Sequence, residues 1–291
     1  MDVSIIYVNY RTSRLVIDSI NSVKEKTQGI LYEIIIVDNN SGDGSLAKIQ
    51  EIHPDVITIQ SEKNVGFGQA NNLGLKKADG KYIFFLNPDT LLRNNAIGEL
   101  FRFLELNMNV GACGGNLYDE EGNATTSFSR KYPSFLWELL GILYIPSLCF
   151  SSRRSLFFNH EGKPIKVASV TGADLMVRRS VLSSIGRFDA DFFMNYEETE
   201  LCLRIHRSGW DIYSVPSAQI THLEGRASYI TKVSHPLKHQ LFSFSFVCLP
   251  PYPLTVNTCL TEVMQTIHIL RPIFPTLQPL QGFCSSLCRF R

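Results

Sequence analysis

Residues 33–45 read EIIIVDNNSGDGS, and this stretch decides the fold. Ile34 to Val37 form an unalternating β-branched run that ends abruptly in Asp38-Asn39-Asn40-Ser41-Gly42-Asp43, a cluster of turn formers. A strand with one wet face would alternate apolar and polar residues. A run apolar throughout suits a strand covered on both faces, as in a parallel sheet flanked by helices. Similar runs lie on either side: Ser4–Val8 before it, Val56–Ile59 and Tyr82–Leu86 after it. Between them, Leu15, Ser19 and Val23 follow the polar start Thr12-Ser13 at helical spacing, as do Ala70, Leu73 and Leu75 ahead of Gly80. Strands alternating with helices predict an α/β fold with a mostly parallel sheet.

The residues that close the four runs are Asn9-Tyr10, Asp38 to Asp43, Asn64-Val65-Gly66-Phe67-Gly68 and Asn87-Pro88-Asp89. Open α/β sheets bind ligands outside the carboxyl ends of their strands. Turn chemistry explains any one of these clusters; four in series point to a site. Gly66 and Gly68 allow close approach of backbone to a ligand, with N–H groups directed at an anion, although the same residues also suit a plain loop before a helix starting near Gln69. Asp89 offers a hard oxygen of the kind that Mg²⁺ or Mn²⁺ prefers, or simply ends a turn. Further on, Glu197-Glu198-Thr199-Glu200-Leu201 opens a helix, with Leu201 and Ile205 one turn apart and Gly209 beyond. Acids in a first turn suit the helix dipole, and Glu200 can pair with Arg204 at i,i+4. His222 lies past a strand that starts at Asp211-Ile212-Tyr213, and a lone His is more often structural than a ligand.

Composition sets the outer limits. The chain has 291 residues, and 28 Lys and Arg against 27 Asp and Glu leave a net charge of +1, which provides no field to hold nucleic acid. The seven cysteines are odd in number, scattered and without a CxxC pair, which fits neither a disulfide framework nor a zinc module and predicts a reducing cytoplasm. Ser4–Val8 is too short for a signal peptide core and reads as a strand. No window reaches the ~18 to 20 uninterrupted apolar residues of a spanning helix. Phe135–Phe150 comes nearest but contains Glu138 and Pro146, and suits either a buried helix or an interfacial one touching the inner face of the cytoplasmic membrane. Residues 231–291 hold one acid, one glycine and seven of the 13 prolines, so a boundary is expected near residue 230. This tail reads as disordered, membrane-proximal or the product of an altered reading frame.

Seven stretches occur in a telling order: Val3–Tyr10, VDNNSGDGS at 37–45, NVGFGQANNLG at 64–74, LNPDT at 86–90, VTGADLMVRR at 170–179, GRFDADFFMNYEETELCLR at 186–204 and THLEGRAS at 221–228. Together they resemble the family 2 glycosyltransferases of the GT-A fold, in particular their rhamnosyltransferase-like branch. The resemblance implies a GT-A domain over 1–230, with a nucleotide-sugar half (1–120) and an acceptor and catalytic half (121–230). It implies inverting transfer of a hexose, in the rhamnosyl branch a rhamnose, from a nucleoside diphosphate sugar to a saccharide or polyprenyl-linked acceptor in cell-surface polysaccharide synthesis. Val8, Asn9, Tyr10 and Asp38 would flank base and ribose, with Asn64, Gly66, Gly68 and Asn71 beneath the nucleotide. Asn87 stands where the family has an acid facing ribose. Asp89 and His222 would hold Mg²⁺ or Mn²⁺. Glu198, the second member of an acid pair with Glu197, falls at the place of the family's catalytic base; the family has Asp there, and Glu reaches one methylene further. A helix N-terminus would favour the ionised form of Glu198. Thr171-Gly172-Ala173-Asp174 and Trp210 fall on the acceptor side. Asn87, Glu198 and the tail also admit a catalytically inactive nucleotide-sugar or carbohydrate-binding protein. A sugar-phosphate nucleotidyltransferase would carry a glycine-rich basic loop after its first strand, and Asn9–Ser13 contains no glycine.

Overall fold

A computed structural model describes residues 1–132, 157–194 and 196–223. The four apolar runs form strands β1 (Val3–Asn9), β2 (Tyr32–Asp38), β3 (Ile57–Gln60) and β4 (Tyr82–Leu86). Helices α1 (Ser13–Lys26), α2 (Ser45–Ile52) and α3 (Phe67–Leu75) connect them. The strands pair in parallel in the order β3-β2-β1-β4. β1 is buried along its whole length, as its unalternating pattern predicts. Its alternate residues supply two cores. Val3, Ile5 and Tyr7 pack with Val16, Ile20 and Val23 of α1, while Ile6 joins Ile35, Ile83 and Phe85 on the other face. The buried face of α1 centres on Val16, Ser19, Ile20 and Val23, with Leu15 at its margin. β3 departs from the expectation of burial on both faces: it is the sheet edge, and its residues are half-buried or exposed.

The remaining described elements are β5 (Thr90–Leu92), α4 (Ala96–Leu106), β6 (Val110–Tyr118), β7 (Phe128–Ser129), β8 (Ile165–Lys166), β9 (Ser169–Val170), β10 (Asp174–Arg178), α5 (Arg179–Ile185), α6 (Glu197–Arg207) and β11 (Asp211–His222). The large sheet continues from β4 through β10, β6 and β11 to β5, and β8 pairs with β11. β10 runs antiparallel between β4 and β6, so six of the nine strands point one way and β5, β8 and β10 oppose them. β7 and β9 form a separate two-stranded ribbon.

Two pairings build the site. Asp174 at the start of β10 lies opposite Leu86 at the end of β4, and His222 at the end of β11 lies opposite Thr90 at the start of β5. Segments 87–90, 171–174 and 222 therefore meet at one rim of the sheet. Among the described residues no helix is long and apolar enough to cross a membrane. Phe135–Phe150, Gly225, Arg226, Ser228 and the tail 231–291 lie outside the described residues.

Candidate active site

The ends of β1, β2 and β3 are held together by one carboxylate. Asp38, 2% exposed, accepts from Asn9 Nδ2 at 2.6 Å and Ser41 Oγ at 2.6 Å on one oxygen. Its other oxygen accepts from the Ser41 N–H and Gln60 Nε2, both at 2.9 Å. Asn9 completes the knot by accepting from Thr12 N–H and Oγ1 at the start of α1. Asp38 borders a pocket of about 340 Å³ with Asn40, Gly42, Gly44, Ser45, Leu46, Gln60, Ser61 and Glu62. It does so with its lone pairs committed, so its first task is joining three strand ends. Val8 is buried against Val37 and Ala70, and half-buried Tyr10 lies under the Arg11 guanidinium.

The glycine loop does something other than present free N–H groups to an anion. Asn64 Oδ1 accepts from the Gly66 N–H at 3.0 Å and from Asn39 Nδ2 at 2.9 Å. The Phe67 N–H donates to Phe193 O at 3.0 Å. Gly66 has φ of +82°, in the left-handed region, and a Cβ there would run into Phe193 O. A Cβ on Gly68 would meet the side chain of Phe188 at 3.1 Å. The close approach that these glycines permit is therefore to the protein's own 188–193 loop. Asn71, fully buried in the next turn of α3, gives Nδ2 to Phe67 O at 3.2 Å, and its Oδ1 has no hydrogen-bond partner.

At the centre of the rim, Asn87 N–H donates to Ala173 O at 3.0 Å, and Leu223 N–H donates to Asp89 O at 2.8 Å. The Asp89 carboxylate, 3% exposed, lies 3.3 Å from His222 Nε2. Neither Asp89 Oδ1 nor Asn87 Oδ1, both buried, makes a hydrogen bond. Asp174 accepts from the Gly115 N–H at 2.6 Å and from Thr171 Oγ1 at 3.3 Å, and burial pushes its carboxyl up to about 8. Among the described residues no three His, Cys, Asp or Glu side chains gather into a metal-binding group. Asp89 and His222 are a pair. A carboxylate oxygen without a hydrogen-bond partner beside an imidazole fits a hard divalent ion that keeps most of its coordination for diphosphate and water. The donor set therefore suits the ion that the resemblance implies.

The acid pair enters from α6. Tyr196, which precedes it, has a left-handed φ of 67°, rare for an aromatic residue, and turns the chain into the helix. Glu197 is buried and its Oε2 has no hydrogen-bond partner. Half-buried Glu198 accepts from Thr199 Oγ1 at 3.1 Å. A Cβ on Gly172 would lie 3.6 Å from the Glu198 side chain and 3.7 Å from the Phe67 ring. Thr171, Gly172 and Ala173 are thus brought beside both the acid pair and Asn87. Burial pushes both carboxyls above the ordinary glutamate range, and repulsion from Glu198 adds to the effect on Glu197. Removal from water outweighs the helix N-terminus, against the sequence expectation of an easily ionised Glu198. The third acid of the turn, Glu200, is occupied by Arg204 through two bonds of 2.6 Å.

Trp210 is not brought to the site. It precedes β11, packs over Gly111 at the start of β6, and so lies at the opposite end of both strands from His222. The 12 residues of β11 at ~3.3 Å each separate Trp210 from the acceptor side. Sequence reading also left Gln60, Asn72 and Phe188 without a part. Asn72 stands inside the quoted 64–74 stretch, but nothing local marks its partner.

A sheet of this order, with its polar rim at the end of β4, is the fold of the GT-A glycosyltransferases. GalNAc-T7, solved with UDP, GalNAc and Mn²⁺, superposes with a TM-score of 0.60 at 17% identity, over 84% of this chain and 47% of that one. S. aureus TarS 1-349, solved in complex with UDP, gives 0.56 at 14% identity, over 85% and 70%. The chain belongs to glycosyltransferase family 2: the family model described as "Glycosyl transferase family 2" matches residues 4–186. It is a glycosyltransferase. Its relatives include the N-acetylglucosaminyl-diphospho-decaprenol L-rhamnosyltransferase of Mycobacterium tuberculosis, 26% identical over 74% of each chain. The rhamnosyltransferase WbbL of Escherichia coli is 25% identical over 66% of this chain and 72% of its own. The low-salt glycan biosynthesis hexosyltransferase Agl10 of Haloferax volcanii is 28% identical over 72% and 64%.

Proposed function

We propose that the protein transfers a hexose, in keeping with its relatives a rhamnose, from a nucleoside diphosphate sugar to a saccharide or polyprenyl-linked saccharide. Transfer proceeds with inversion at the anomeric carbon and serves cell-surface polysaccharide synthesis. The single observation that carries this reading is a rim where buried oxygens of Asn87, Asp89 and Glu197 lack hydrogen-bond partners, with Glu198 next to Glu197. An unpaired buried polar group costs roughly 1–3 kcal/mol, and several in one place are best understood as awaiting a polar ligand.

In this mechanism Glu198 takes the proton of an acceptor hydroxyl as that oxygen attacks the anomeric carbon. The bond from that carbon to the diphosphate oxygen breaks on the opposite face, and the nucleoside diphosphate carries away the electron pair. Glu197 is the more buried of the two, and the repulsion between them leaves a single negative charge, carried by Glu198. Asn87 orients the ribose, and Thr171 to Ala173 line the acceptor side. Asp89 and His222 would hold Mg²⁺ or Mn²⁺, which when bound would offset the charge of the diphosphate. The nucleotide lies along the ends of β1 to β3, bordered by Val8, Asn9, Tyr10, Asp38, Asn64, Gly66 and Gly68. Residues 1–230 make up the catalytic domain and 231–291 an atypical tail, and the enzyme works at the cytoplasmic face of the membrane that holds its acceptor.

Turnover of a panel of nucleoside diphosphate sugars with and without Mn²⁺, with the anomeric configuration of the product read by NMR, tests the reading. Metal-dependent transfer with inversion supports it. Retention of configuration overturns the mechanism, and metal-dependent nucleotide binding without any transfer or hydrolysis would indicate an inactive binder.

A further inference from the structure

From Gly186 to Met194 the chain, having left α5, passes over the first turns of α3 ahead of α6. Its course is tied at three places. Arg204, already bridged to Glu200, donates to Ile185 O at 2.9 Å and Arg187 O at 2.7 Å. Asn72 Nδ2 donates to Phe188 O at 2.8 Å while Asn72 Oδ1 accepts from the Phe188 N–H at 3.1 Å. The Phe67 N–H holds Phe193 O. The Asn72 contact is reciprocal, like a strand pairing made by a side chain. It satisfies both backbone groups of a residue that belongs to no helix or strand. Only a carboxamide offers a donor and an acceptor in that geometry; Asp lacks the donor and Leu lacks both. Phe188 itself is 4% exposed and its ring meets Phe85 edge-on, with centroids 4.8 Å apart.

These ties link two parts of the rim. α3 carries Asn71 and begins at the glycine loop, whereas the 186–196 segment leads directly into Glu197 and Glu198. From its second turn on, α6 is fixed by Leu201, Cys202 and Ile205 in the core. Its first turn follows directly on the clamped segment. We propose that Asn72 is a positioning residue: by clamping Phe188 to α3 it sets the distance from the nucleotide-facing helix to the first turn of α6, and so places Glu198 for proton transfer. The proposal rests on the function proposed above, and it concerns how the base is placed rather than which residue it is. A misplacement of about 1 Å can cost roughly 100-fold in rate, whereas the nucleotide contacts would be untouched.

The test compares wild type with Asn72→Leu, which keeps the volume and removes both hydrogen bonds to Phe188, and with Arg204→Gln, which releases the neighbouring Ile185 and Arg187 carbonyls at the same end of the segment. Hydrogen exchange, UDP and dTDP affinity by calorimetry with Mn²⁺, and steady-state turnover are measured well below the melting temperature. For Asn72→Leu we expect faster exchange confined to peptides covering 186–196, nucleotide Kd within about twofold of wild type, and kcat lowered about 10- to 100-fold. Arg204→Gln should show the same split with a smaller loss, and it carries the test if Asn72→Leu does not fold. A purely stabilising role would lower Tm and leave kcat of the folded enzyme unchanged, which would overturn the proposal. So would equal losses of kcat and nucleotide affinity. If wild type turns over no nucleoside diphosphate sugar, the functional reading fails by itself. The clamp is then decided by exchange alone, and unchanged protection of 186–196 in both variants overturns it.

Discussion

Two neighbouring regions of the rim handle their polar groups in opposite ways. At the ends of β1, β2 and β3, Asn9, Asp38, Ser41 and Gln60 satisfy one another, and both oxygens of the central carboxylate are engaged. One strand further, at the end of β4 and the start of α6, buried oxygens of Asn87, Asp89 and Glu197 have no hydrogen-bond partner. The first arrangement is a joint that is complete without a ligand. The second is incomplete, and folding leaves it so at a cost. The contrast separates residues whose polar groups are used up by one another from residues left with free acceptors, and in the proposed function the second set acts on the ligand.

The comparison makes opposite demands on stability and activity. The largest expected effect is that of Asp89→Ala: transfer and most metal-dependent nucleotide binding are lost, by about 10³-fold or more in kcat/KM, while the fold is kept although the 3.3 Å contact with His222 Nε2 goes. Calorimetric titration of nucleotide with Mn²⁺ checks this, and unchanged metal-dependent affinity would remove Asp89 from the metal site. His222→Ala should weaken the metal dependence less.

Glu198→Gln preserves size and removes the base, so kcat should fall at least ~10²-fold with donor affinity nearly unchanged. In wild type the base must be ionised and burial raises its pKa, so activity should be lost as pH falls through a limb above the ordinary glutamate range. A kcat profile flat down to pH ~4.5, the ordinary carboxylate range, would break the assignment. If Glu197→Gln is the inactive variant instead, the two roles are reversed.

Asp38→Asn tests the other side of the contrast. The new amide nitrogen would face donors from Asn9, Ser41 or Gln60, and a stability loss of about 2–3 kcal/mol is expected, visible as a lower urea midpoint. Turnover of the folded fraction should hold within about tenfold; a loss as deep as that of Asp89→Ala would show that Asp38 is more than a joint.

The smallest effect concerns Glu197 and stability. Its folded pKa lies above its unfolded value, so its contribution is favourable below the unfolded pKa and is lost as pH rises through the folded one. Glu197→Gln should therefore narrow the difference in Tm between pH 5 and pH 9. An unchanged pH dependence of Tm would show that Glu197 does not titrate in the fold.

Much of the parallel half was legible in the sequence because its signals are local. The β-branched runs at Ser4–Val8 and Glu33–Val37, and the turn formers after them, express strand burial and strand end within a few residues of each other. The acids of α6 were legible as a helix start for the same reason. The resemblance puts Trp210 with the acceptor residues, and a long strand carries it to the far end of the sheet.

What the sequence by itself determined is therefore an α/β sheet with polar carboxyl ends, an acid-rich helix start, and membership of a family whose motifs recur in order. Tertiary structure alone decided that β10 enters between β4 and β6, that β11 pairs with β5 so that His222 meets Asp89, and that Asn72 clamps Phe188. It also decided which polar side chains are used up by one another and which are left over. The physical reason is range: burial and backbone preference act over a turn or a strand, whereas a hydrogen bond between distant segments depends on partners that only the folded chain brings within 3 Å of each other.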